Sequence, residues 1–123
     1  MGYSATQNGI WTTWSPTLTG FSTNPIFTAR YMLIGKTCYV DFTTTTVGVS
    51  NATTKTITLP FAAADTAIQF FMAQGQNNGT EATRDGYTRV NSNVADMYPA
   101  GSLGTWTASG NASFTFNMFY EIA

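Results

Sequence analysis

The chain has 123 residues, with five basic and six acidic side chains, no histidine and one cysteine; 43% of it is hydrophobic, 15% aromatic and only 9% charged. A chain of this length buries about two-thirds of its unfolded surface, enough for one core, so a single domain spanning residues 1–123 is expected. Its apolar content excludes disorder, the scatter of Arg30, Lys36, Lys55, Arg84 and Arg89 argues against a nucleic-acid partner, and no apolar run approaches the roughly 18 residues of a membrane span.

Residues 1–14 show no basic segment followed by an apolar stretch, so no secretory signal is read there. From residue 26 onward apolar residues recur mostly at every second position, which is the all-β signature. Phe27, Ala29, Tyr31 and Leu33 share one face of a strand, and Ile26, Met32 and Ile34 share the other. That strand is therefore apolar on both sides. Gly35-Lys36 makes a tight turn into a second strand with Cys38, Val40 and Phe42 inward. A third strand carries Ile57, Leu59 and Phe61 inward, with Pro60 at its exit because proline cannot donate to a ladder. Residues 62–66 read as a connection, Ile68, Phe70 and Met72 as a strand, 74–80 as a Gly- and Asn-rich loop, 87–94 as one or two short strands, and 96–104 as a loop. Phe114, Phe116, Met118, Tyr120 and Ile122 alternate to the C-terminus, leaving Phe119 as the apolar exception on the opposite face. The expected fold is an all-β, antiparallel, jelly-roll-like β-sandwich of about 7–9 strands.

The polar positions are filled by Thr, Ser, Asn and Gly rather than by charge, and such a neutral surface gives little protection against self-association. The runs of threonine near 43–46 and 53–58 read first as strand formers. Without histidine, neither a Ser-His-Asp nor a Cys-His arrangement can form, and a common zinc site lacks its ligands. Six acids serving five bases are an ordinary surface complement, and no spacing marks two of them as a glycosidase pair. No catalytic residue and no cofactor is assigned. Loop 77–86 offers oxygens that a calcium ion could use, but its spacing is not that of an EF-hand, and a plain turn with Asn and Gly at positive φ is the preferred reading. Asn51, Asn78 and Asn111 head glycosylation acceptor triplets, read as coincidence in an Asn- and Thr-rich chain. A glycan site combines a flat aromatic ring with amide, carboxylate or guanidinium partners. Trp106, Tyr87 and Tyr98 are the candidate platforms, with Asp85, Arg84 and Asn91 as hydrogen-bond partners. Trp11 and Trp14 read as plugs of the sandwich ends or as subunit contacts, and Trp106 could be either plug or platform.

The order of three motifs resembles the C-terminal domains of bacteriophage tail fibres and tailspikes: the opening Trp11-Thr12-Thr13-Trp14-Ser15-Pro16-Thr17-Leu18-Thr19-Gly20, the hairpin from Ala29 to Phe42, and the strand Ile57-Thr58-Leu59-Pro60-Phe61. The closing Phe114-Thr115-Phe116-Asn117-Met118-Phe119-Tyr120 is similar to their last strand. Residues 74–109 match no part of the pattern. The resemblance implies a homotrimer at the distal end of a virion adhesion protein made in the bacterial cytoplasm, with residues 1–10 joining it to a longer fibre or spike. It also implies binding to a bacterial surface glycan, whether lipopolysaccharide, capsule or wall polysaccharide, without membrane insertion. A purely structural trimer cap or folding aid is the alternative, and a polysaccharide depolymerase is a third reading. Within such a trimer, Met32, Ile34 and Phe119 are the expected protomer contacts, because that placement explains both apolar anomalies together.

Overall fold

The computed structural model describes residues 9–64, 70–81, 86–99 and 105–123, and over these it contains strands, turns and bends without a helix. The strands are β1 (Thr12–Thr13), β2 (Leu18–Thr19), β3 (Phe21–Thr23), β4 (Phe27–Ile34), β5 (Thr37–Thr44), β6 (Gly48–Ser50), β7 (Lys55–Thr58), β8 (Phe70–Asn77), β9 (Thr80–Glu81), β10 (Gly86–Asn91), β11 (Val94–Tyr98) and β12 (Asn111–Glu121). Every described pairing is antiparallel. The main order is β1-β4-β5-β12-β8-β10-β11-β7-β2, with β3 on β6, β6 also on β12, and β9 on β8.

The strands at the two ends of that order, β1 and β2, are consecutive in the chain and separated only by Trp14 to Thr17. Five residue steps span at most about 17 Å, so the sheet must curl until its ends nearly meet. Trp14 makes the closure concrete: its backbone N–H donates to the Ala29 carbonyl (3.2 Å) on one side and its indole Nε1–H to the Thr58 carbonyl (3.4 Å) on the other. Thr17 and Thr58 exchange two further bonds, of 2.8 and 3.1 Å. The result is a half-barrel with two facing walls, sandwich-like in section but joined by continuous hydrogen bonding. β1, β4, β5 and β12 form the first wall; β8, β10, β11, β7 and β2 form the second.

Between the walls lies one core. Ala29, Leu33, Cys38, Val40, Phe42, Phe114, Phe116, Met118 and Tyr120 face it from the first wall, and Leu18, Ile57, Ala73, Val90, Ala95 and Met97 from the second. Phe42 is its aromatic centre, stacked on Phe27, Phe114 and Phe116 at centroid distances of 5.0, 5.3 and 5.4 Å. The two-sided hairpin, the inward Cys38 and the outward Phe119 stand as the alternation requires. In the β4–β5 turn, Ile34 pairs with Thr37 and Gly35 takes φ 60°, the first-position geometry of a type II′ hairpin.

Four sequence expectations change. The segment expected as a loop at 74–80 continues β8 through Asn77, because β12 pairs with it from Ala112 to Phe116; only Asn78 and Gly79 turn, both at positive φ. Residues 96–98, also expected as loop, belong to β11, held between β10 and β7. In both places pairing on two sides overrides weak strand propensity. β7 ends at Thr58, so Leu59 and Phe61 pack against the core from beyond the strand. The strand count exceeds nine because two- and three-residue strands cover the edges.

Candidate functional site

The outward side of the first wall carries an apolar row. Met32 pairs with Tyr39, and Tyr39 with Phe119. Thr12 pairs with Tyr31 and Thr13 with Arg30, so one further ladder step sets Trp11 beside Met32. The row thus crosses four neighbouring strands, about 14 Å at the usual strand spacing. Phe119 is 54% exposed, Trp11 42% and Tyr39 36%, with Ile34 alongside at 47%. The Tyr39 and Phe119 rings touch at 5.7 Å, and a groove of about 320 Å³ runs between Trp11 and Phe119 over Tyr39. The next row is polar. Arg30 donates from Nε to Asp41 (2.8 Å), its guanidinium covers the Trp11 ring at 4.4 Å, and Asp41 pairs in register with Asn117.

The second wall is built differently, and its centre is a lysine that sequence reading takes for a surface residue. Lys55 is 1% exposed. Its ammonium donates to the Gly20 carbonyl and to Ser50 Oγ (2.8 Å), and lies over the rings of Phe21 (4.3 Å) and Trp106 (5.3 Å). Two oxygens and two ring faces thus account for its donors. Burial pushes the amine down from 10.5 to about 8. Gly20 is required here: at φ 96° its Cα lies so close to the next segment that a Cβ would stand 2.4 Å from the Thr54 carbonyl and 2.7 Å from Lys55 Cγ.

Trp106 is 4% exposed. It is no platform for a ligand, because Lys55 and Phe114 (6.2 Å) lie against its ring. What it does is tie two segments together: its backbone N–H donates to the Thr53 carbonyl (3.0 Å) and its indole N–H to the Met97 carbonyl (2.9 Å). Outside that clamp is a cleft of about 210 Å³ lined by Thr53, Thr54, Lys55, Thr56, Asp96, Met97, Tyr98 and Thr105. Lys55 and Met97 form its floor, while Thr54, Thr56, Asp96 and Tyr98 stand at the outward positions of β7 and β11 and the residue just before β7.

Of the six expected glycan residues, Tyr98 lines this cleft half-buried, and Tyr87 stands directly opposite Tyr98 in the β10–β11 ladder. Asn91 is at the far end of β10, opposite Val94. Arg84 and Asp85 lie outside the described residues, as does part of the 77–86 loop considered for calcium. Of the expected protomer contacts, Phe119 and half-buried Met32 share the apolar row and Ile34 flanks it. Sequence reading misses Tyr39, although the hairpin register sets it opposite Met32. Trp14 is the plug that sequence suggested, packed edge-on against Tyr31 at 6.4 Å. No family model, curated protein or solved structure matches the chain.

Proposed function

We propose that the chain is a non-catalytic terminal module of the bacteriophage tail-fibre or tailspike kind, which assembles as a homotrimer and binds bacterial surface carbohydrate from the virion. The observation that carries the reading is the outward apolar row of exposed Trp11, Tyr39 and Phe119 with half-buried Met32, on a chain with few charges. Contiguous apolar patches of this kind mark interaction surfaces, and a neutral surround offers little repulsion between copies. The first wall is therefore the protomer interface. The second wall, with Tyr98, threonine hydroxyls and a carboxylate around a cleft, supplies the mixed aromatic and polar lining that carbohydrate recognition uses.

Light scattering on the purified chain, paired with a bacterial glycan array and an assay for reducing ends, tests the reading. The expected result is a trimer that retains specific glycans and releases no reducing ends. A monomer at micromolar concentration contradicts the assembly, release of reducing ends favours a depolymerase, and a trimer that retains no glycan leaves a structural cap.

A further inference from the structure

The cleft on the second wall says more about the ligand than its general class. Three observations bear on it. Its volume of about 210 Å³ exceeds the roughly 150 Å³ that encloses one benzene, which suits one substituted six-membered ring and not several. Four threonines, one tyrosine and one carboxylate supply hydroxyl and acceptor groups matched to a ring bearing several hydroxyls. The third observation concerns charge. Lys55 is the basic residue in the lining, but its ammonium is turned inward onto Gly20, Ser50, Phe21 and Trp106. Asp96, the acidic one, stands at an outward position of β11, so the lining's outward charge is negative. Among the described lining residues, then, no positive charge faces the opening to select an anion.

Resting on the carbohydrate reading above, we infer that this cleft takes a single uncharged sugar residue and discriminates against uronic and other acidic sugars. The sugar ring lies against Tyr98, its hydroxyls bond to Asp96 and to the Thr54 and Thr56 side chains, and Trp106 acts as a positioning residue that holds the two rims together from beneath. Binding is then indifferent to salt, since no charge pair is formed.

The test uses the assembled chain and ligand-observed NMR with the methyl glycosides of glucose, galactose, N-acetylglucosamine and rhamnose, and with methyl glucuronide as the acidic probe. At least one neutral glycoside should bind about tenfold or more tightly than the glucuronide, with affinity unchanged between low and high salt. Tyr98→Ala and Thr54→Val should each weaken it several-fold or more, with the oligomer mass and melting temperature preserved, whereas Tyr98→Phe should retain most of it. Preference for the glucuronide, or binding that falls with salt, overturns the inference while leaving carbohydrate binding standing. Neutral binding untouched by both Tyr98→Ala and Thr54→Val likewise overturns it and moves the site elsewhere. Absence of binding to every glycoside and to the wider array overturns the inference and the carbohydrate reading together.

Discussion

The two walls of the half-barrel share one core and one alternation, yet turn opposite kinds of chemistry outward. The first wall presents Trp11, Met32, Tyr39 and Phe119 in a row across its strands; the second presents Thr54, Thr56, Asp96 and Tyr98 around a cleft. In each, the buried half of the period-2 pattern locks the register, since a one-residue slip would expel Phe42, Phe114 or Ile57 from the core. Once register is locked, the outward half is free to specialise. The same packing therefore yields one apolar outward surface and one polar outward cleft.

The comparison breaks most visibly at Trp106, whose backbone and indole N–H groups tie together the segments around the second wall's cleft. Trp106→Ala should cost about 3–5 kcal/mol in denaturant unfolding, the usual range for a large buried aromatic. Trp106→Phe should cost about 1–3 kcal/mol, the penalty for leaving the Met97 carbonyl unbonded. Full stability in Trp106→Ala would mean that the indole does not hold the cleft.

Titration separates the walls next. Lys55, in the second wall, has an amine depressed by burial to about 8. Above that pH the folded chain has released a proton that the unfolded chain keeps up to 10.5, so stability should rise with pH through this window, by roughly 3 kcal/mol if Lys55 acted alone. The first wall has the opposite sign. Burial raises the Cys38 thiol from 9.0 to about 11 and holds the Tyr120 phenol well above its ordinary range, so their contributions are lost as pH climbs past 9 and 10. Wild-type stability should therefore peak near pH 9, and in Lys55→Met the rising limb between pH 8 and 9 should vanish while the alkaline fall remains. A rising limb that persists in Lys55→Met would assign it to another group.

The smallest expected effect is at the β10–β11 turn. Ser92 takes φ 58° there, in the position that glycine fills at the β4–β5 turn of the first wall. Ser92→Gly should stabilise the chain by about 0.5–1 kcal/mol, the balance of relieved backbone strain against added unfolded-state freedom. A loss of stability would show that Ser92 is held by something other than the turn.

The first wall was largely legible in sequence because β4, β5 and β12 alternate cleanly over eight or more residues and Gly35 marks the turn. The outward placement of Phe119 followed from that alternation alone. The second wall was not. Lys55 sits in a threonine-rich run that reads as strand without saying where a charged side chain in it goes, and its burial depends on Gly20, Phe21 and Trp106, which come from segments far along the chain in either direction. Trp106 lies outside every alternating run, so periodicity could not decide whether its ring faced inward. The closing strands β1 and β2 are two residues each, too short to carry a period, and are fixed by pairing to distant edges. Local pattern thus locates whatever a hairpin organises and loses what long-range closure organises.

The division of labour between the walls is tested most directly by the solution mass of Phe119→Asp beside the wild type at equal concentration. The wild type should scatter as three chains of 13.3 kDa each and the variant as one, with cooperative melting retained because Phe119 lies outside the core. A wild type already at single-chain mass, or a variant that keeps the wild-type mass, would contradict the assignment of the first wall to assembly.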